Sequence, residues 1–75
     1  AGANRRGQIK VRLGRCLADY LAAGTAEQRE RVAQQTELLG QEALEASSPD
    51  VAETAEINSN VMREGGLALV PYELL

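Results

Sequence analysis

The sequence contains no histidine, phenylalanine or tryptophan, and it has only one cysteine. Without histidine it lacks the residue on which catalytic triads and most proton-transfer steps depend. Cys16 alone cannot form an internal disulfide, and one thiol without histidine supplies too few ligands for the common zinc sites. We therefore expect a chain that is not an enzyme and has no catalytic residue, cofactor or metal.

Long apolar runs are also missing. No stretch of about eighteen apolar residues is present, and no positively charged start is followed by an apolar segment. From these absences we expect that the sequence contains no membrane span and no signal peptide. A single thiol fits a reducing compartment, so we expect a cytoplasmic location.

The chain is long enough for one small domain, and its core must be aliphatic. It has 75 residues, of which 44% are hydrophobic and 3% aromatic. A domain of this size buries only about 60% of its unfolded surface and needs further support. Because disulfides and zinc are excluded, we expect that support to come from oligomerisation or from a larger partner chain.

The chain divides into a short arm and a helical domain. Residues 1–7 hold two glycines and two arginines without apolar periodicity and predict a flexible basic arm or linker. Residues 8–64 form the predicted helical domain. Its first helix ends at Gly24, a predicted left-handed stop, and its apolar residues recur at steps of three and four at Ile9, Leu13, Cys16, Leu17, Tyr20 and Leu21.

Two further helices follow. Thr25 is a predicted N-cap with Gln28 reaching back, and the second helix runs to about Ala46. Ser48, as cap, and Pro49 predict the start of the third helix, which ends at the glycine pair 65–66. The fold class is therefore all-α, a small three- to four-helix bundle completed by dimerisation or by a partner chain.

Residues 65–75 form an apolar tail. Pro71 could open a fourth helix, or residues 67–70 could form a short strand or an extended docking segment. The leucines of the tail require cover from the domain's own groove, from a second copy, or from a longer parent chain. The sequence leaves these alternatives open.

The contact faces of helices two and three, together with the tail, supply the predicted partner interface. Asn58 lies within the apolar face of helix three, where a buried amide can fix the register of a helix pair. A rim position or a hydrogen bond across the helix pair is the simpler explanation. The predicted interface residues are Val32, Leu39, Val51, Asn58, Val61, Met62, Leu67, Leu69 and Leu74.

Charge is unevenly distributed along the chain. Five cations precede the first acid, Asp19, whereas the remaining residues sum to −8. Arg5, Arg12 and Arg15 form a candidate anion-contact cluster, although a solvated helix start is the simpler explanation. The third helix is acidic and no aromatics accompany the arginines, so nucleic acid is not the expected partner.

Three features suggest a family: the L-A-D-Y-L run at 17–21, the long second helix, and the Ser-Pro-Asp start of the third. The stretch from Ile9 to Met62 resembles the amino-terminal helical dimerisation domain of RsbU-type PP2C phosphatases (KaiA/RsbU-like). That four-helix module is shared with the carboxy-terminal domain of the clock protein KaiA. The resemblance implies a dimeric bundle that receives an activating protein partner.

These observations favour a non-catalytic protein–protein interaction module with a regulatory, signalling or dimerising role. Its partner is expected to be a second copy or a larger protein chain. The alternative is a small accessory subunit of a multi-subunit enzyme or particle, with its termini docked on a larger chain. A third possibility is contact with an anion or nucleic acid through the basic arm.

Overall fold

A computed structural model describes residues 2–75, apart from the side chains of residues 2, 3 and 74. The chain forms α1 (Gly2–Ala22), α2 (Ala26–Glu45), α3 (Pro49–Glu64) and a 3₁₀ turn (Tyr72–Leu74). Residues 2–75 contain no strand. The predicted small all-α bundle is thus confirmed, and the described part of the chain has three α-helices.

Helix α1 begins earlier than the sequence predicts. Residues 2–7, predicted as a flexible arm, belong to α1, so that prediction is wrong for these residues. The physical reason is tertiary. The Arg6 guanidinium donates two hydrogen bonds to the Asp50 carboxylate, at 2.7 and 2.9 Å, and Arg5 donates to Glu45 at 3.4 Å. These ion pairs hold a helical turn that has no apolar periodicity of its own.

The caps follow the sequence in part. Thr25 Oγ1 accepts a hydrogen bond from the Gln28 amide at 3.1 Å, which confirms the predicted N-cap of α2. The Gln28 side chain accepts from the Gly24 amide at 2.7 Å. The predicted left-handed stop at Gly24 is wrong, since α1 ends at Ala22 and Gly24 does not have a positive φ. Within residues 2–75 the left-handed glycine is Gly65, the C-cap of α3, with φ 73°.

The three helices run up, down and up. Arg5 and Arg12 of α1 donate to Glu45 and Glu42 of α2, so the contacts run in opposite order along the two helices, which are antiparallel. Arg63 at the end of α3 donates to Glu30 and Glu37, so α2 and α3 are antiparallel as well. Helices α1 and α3 therefore point the same way. No helix in residues 2–75 combines the length and apolar character needed to cross a membrane.

The core is formed by one face of each helix. Gly40 of α2 approaches α3 so closely that a Cβ atom added to it would lie 3.2 Å from the Cβ atom of Ala55. Cys16 is buried as predicted, and burial raises the pKa of its thiol. The buried apolar residues are Ile9, Leu13, Cys16, Tyr20, Val32, Ala33, Leu39, Ala43, Val51, Ala52, Ala55 and Met62.

Candidate functional site

The tail returns along the bundle between α1 and α3. It meets Tyr20 near the end of α1, then Gly14, and finally Arg6 near the start of α1. Its direction is thus opposite to that of α1 and α3, and it takes the place that a fourth helix has in an up-and-down bundle. We call the surface that holds it the tail groove, defined by Arg6, Gly14, Tyr20, Asn58 and Val61.

Asn58 is the centre of the tail groove. The residue is 1% exposed. Its Nδ2 donates to the main-chain oxygen of Val70 at 3.0 Å, and its Oδ1 accepts from the Val70 amide at 2.7 Å. One buried amide therefore satisfies both main-chain groups of one tail residue, much as a neighbouring strand does in a sheet. This contact recognises the backbone of the tail and makes no use of the Val70 side chain.

Tyr20 holds the beginning of the tail. Its ring is buried in the core, and its hydroxyl donates to the main-chain oxygen of Gly66 at 2.6 Å. The amides of Gly65 and Gly66 donate to the oxygens of Met62 and Val61, at 3.1 and 3.0 Å, which closes the end of α3. The two glycines thus form the joint at which the chain leaves α3 and enters the groove.

Gly14 forms a notch for the tail's only aromatic ring. A Cβ atom built on Gly14 would lie 2.7 Å from Cε1 and 2.8 Å from Cζ of Tyr72. Since real Cβ atoms do not approach other atoms so closely, the ring fits because residue 14 has no side chain. Tyr72 also packs against the core, as do Leu69 and Leu75. The anchoring side chains of the tail therefore recur every third residue.

Arg6 closes the far end of the groove. Besides its two bonds to Asp50, its guanidinium donates to the main-chain oxygen of Leu75 at 3.0 Å. The hydrogen bond from Arg6 lowers the pKa of Asp50 below its ordinary value, because it stabilises the charged carboxylate. This ion pair joins α1, α3 and the tail at one point.

The structure assigns most of the predicted interface residues to other roles. Val32, Leu39, Val51, Asn58 and Met62 are buried within this chain. They cannot form an exposed contact surface in this fold, since apolar periodicity marks a covered face without revealing what covers it. Of the others, Val61 and Leu69 are half-buried and Leu67 is exposed, while the side chain of Leu74 lies outside the described residues.

Of the alternatives for covering the tail, the structure shows the domain's own groove. The fourth helix that Pro71 could have opened is absent from residues 65–75, where residues 66–71 have no regular secondary structure and a single 3₁₀ turn follows. Pro71 is extended, with φ −66° and ψ 132°, and does not open an α-helix. The first and last segments that the structure describes both contact helices of the same chain, through Arg5, Arg6 and Leu75.

The predicted anion cluster lies mostly against acidic side chains. Arg5 pairs with Glu45 at 3.4 Å and Arg12 pairs with Glu42 at 3.1 Å, both across to α2. Arg15 is exposed on the same side of α1. Two of the three arginines thus have their charge offset within the fold, which reduces the positive potential available to an external anion.

Sequence reasoning missed Arg6, Gly14, Tyr20 and Tyr72 as groove residues. Gly14 carried a usable signal, since an isolated glycine inside a helical pattern often marks close packing. Tyr20 carried another, because a buried tyrosine hydroxyl usually finds a partner. No signal for Arg6 was available, as its contacts link residues 44 and 69 positions apart.

Comparisons with protein-family models, curated proteins and solved structures gave no match for this chain.

Proposed function

We propose that this chain is a non-catalytic protein–protein interaction module whose tail groove binds an extended apolar segment of protein. The observation that carries the proposal is the pair of hydrogen bonds between Asn58 and the main chain of Val70. A buried amide that pairs with both groups of an extended residue is a recognition element of the kind used in strand addition. The resemblance to RsbU-type dimerisation domains supports the same class of function.

The tail has the properties of a bound segment. None of its described side chains belongs to the fully buried core, which the three helices form by themselves. The tail contributes half-buried anchors at Leu69, Tyr72 and Leu75, and its main chain is held by groove side chains. Pro71 has no amide hydrogen, so the residue after the Asn58 contact leaves no donor unpaired.

A regulatory role follows if the chain's own tail competes with an outside segment. A tethered ligand is present at a high effective concentration, in the millimolar range for short flexible tethers. An outside segment must therefore bind strongly or arrive when the tail is loosened. The groove then has two states, filled from within or filled by a partner, and the exchange between them is the signal.

The test uses the full chain with a weakened tail and an intact groove. In Tyr72→Ala/Leu75→Ala, two tail anchors are removed and Asn58 is untouched. A labelled peptide with the sequence of residues 67–75 is then titrated with this variant, and binding is followed by fluorescence anisotropy. If far-UV circular dichroism shows lost helix, Leu75→Ala alone replaces the double variant.

A second peptide, N-methylated at the position of Val70, is the matched control. It keeps every side chain but cannot donate to Asn58, and we expect it to bind about tenfold or more weakly because a hydrogen bond to a buried amide is lost. Adding Asn58→Ala to the tail-weakened chain should abolish the difference between the two peptides. Absent binding, or equal binding of both peptides to the chain that has Asn58, would contradict the proposal.

A further inference from the structure

We propose that the outside segment is the tail of a second copy of this chain, so that two copies exchange tails and form a dimer. This inference rests on the proposed function, because it needs a groove that accepts an extended segment. It adds the identity of the partner and the joint at which the chain opens.

The first support is that every copy carries a segment that already fits the groove. The Val70 main chain matches Asn58, the Tyr72 ring matches the Gly14 notch, and the Leu75 oxygen matches Arg6. In an exchanged dimer these three contacts form between copies, so each groove keeps them on exchange. Swapping an identical element is a low-cost route to a dimer for this reason.

The second support is the joint between α3 and the tail. Gly65 is left-handed with φ 73°, and Gly66 follows it directly. A few residues at the end of an element are enough to absorb the change in backbone direction that exchange requires. Opening the joint breaks the bond from Tyr20 to Gly66 and frees the tail from its own groove, while the three helices keep their mutual contacts.

The third support is an apolar surface beside the joint. Leu67 is 79% exposed and Leu21 is 65% exposed. They directly follow Gly66 and Tyr20, which are hydrogen-bonded at 2.6 Å, so both leucines lie at the same end of the bundle. In a two-fold dimer built by exchange, the two joints lie close together. The four leucines of such a dimer can then cover one another, which the closed monomer does not achieve.

Concentration decides between the closed monomer and the exchanged dimer. At low protein concentration the chain's own tail occupies the groove, since the effective concentration of a segment on a short tether is in the millimolar range. Burial of the leucines and any strain in the closed joint favour the dimer. We therefore expect dimer to appear as the protein concentration rises, and to appear earlier when the joint is strained.

The first experiment is light scattering on the full chain over a concentration series. Gly65→Ala places a side chain on a left-handed residue, which costs enough to shift the closed form by about tenfold. We expect it to dimerise at a correspondingly lower concentration. Gly7→Ala is the matched control, because Gly7 is helical with nothing within 4 Å of an added Cβ atom. If Gly65→Ala loses helix, a chain that lacks Gly66 tests the same joint by shortening it.

The second experiment is complementation between two defective chains. One copy carries Gly14→Leu, which fills the groove notch but leaves a sound tail. The other carries Tyr72→Ala/Leu75→Ala, which weakens the tail but leaves a sound groove. An equimolar mixture restores one matched groove and tail, so we expect it to form more dimer than either chain alone. Leu67→Ser in both chains should lower the dimer fraction without weakening capture of the free peptide.

The outcomes separate this inference from the proposed function. If Gly65→Ala and the chain that lacks Gly66 stay monomeric at all concentrations, tail exchange is overturned. If the tail-weakened chain still captures the peptide in that case, the proposed function of the groove stands. Tail exchange would also be overturned if each variant alone formed as much dimer as the equimolar mixture, because the dimer contact would then lie elsewhere. Loss of peptide capture together with loss of dimer removes both proposals.

Discussion

The Asn58 side chain bonds the amide and the carbonyl of Val70, twelve residues further along the chain, at 2.7 and 3.0 Å. A single buried residue of α3 thereby fixes the register of the tail, since a shift by one residue would bring the Pro71 nitrogen, which has no hydrogen, opposite Oδ1. The tail is held by its backbone at this point and by its side chains at Leu69 and Tyr72.

Asn58→Ala should destabilise the fold by about 1–3 kcal/mol, because it removes two hydrogen bonds and leaves the half-buried Val70 groups without a protein partner. The free energy of unfolding is measured by urea denaturation. Asn60→Ala is the control, since Asn60 is exposed on the same helix. Equal losses in the two variants would argue that Asn58 matters only through helix α3 itself.

Gly14→Ala and Gly7→Ala separate helix propensity from the notch. Both replacements should strengthen α1 by up to about 1 kcal/mol, because alanine is the better helix former. At Gly14 the added Cβ atom meets the Tyr72 ring at 2.7 Å, so the ring must move and the gain should shrink or disappear. Thermal unfolding of the two variants gives the comparison. A full gain at Gly14 would show that the ring does not need the notch.

The Arg6–Asp50 pair should give the stability a pH dependence at the acid end. The pKa of Asp50 is lowered in the folded chain by the hydrogen bond from Arg6, from an ordinary value of 3.8. Its stabilising contribution is therefore present above that ordinary value and is lost as the pH falls through the lower folded value. Asp50→Asn should be less stable than the natural chain at neutral pH.

That difference should narrow below about pH 4, where the carboxylate becomes protonated in the unfolded chain. Unfolding free energies from pH 2 to 7 provide the measurement. Glu53→Gln serves as the control for losing a negative charge from an exposed position of α3. A deficit of Asp50→Asn that stays constant down to the lowest pH would contradict the role of the ion pair.

Cys16 should be a slow nucleophile in the folded chain. It is 6% exposed, and burial raises the pKa of its thiol, so both access and the thiolate fraction are low. The rate of reaction with a thiol reagent is measured in buffer and in denaturant, and we expect a large increase on unfolding. Cys16→Ala/Ala18→Cys moves the thiol to an exposed position of α1 and should react rapidly in both conditions.

The fold was largely predictable because it depends on local signals. The step of three and four placed Ile9 and Leu13 on the core face of α1, and both are 1% exposed. The Thr25 cap and the end of α3 at Gly65 follow from side-chain chemistry and backbone freedom within a few residues. Gly24 shows the limit of such signals, since a glycine after a helix permits a left-handed stop without requiring one.

The site was not predictable in the same way because its contacts are distant in sequence. Asn58 stood out as a polar residue on an apolar face, yet its partner turned out to be the tail backbone and not another helix. Arg6 appeared to belong to an arm, because the sequence does not reveal that Asp50 lies beside it. Periodicity identifies covered faces, whereas only the folded chain reveals what covers them.

The most direct test of the account is native-state hydrogen exchange at the Val70 amide, measured by NMR on the full chain. A tail held in a groove and able to leave it predicts that this amide is protected, but that it exchanges faster than amides inside α3 such as that of Met62. Asn58→Ala should remove the protection at Val70 and leave that at Met62 in place. Exchange of Val70 at the same rate as the helix amides would contradict the account, because the tail would then be an inseparable part of the core.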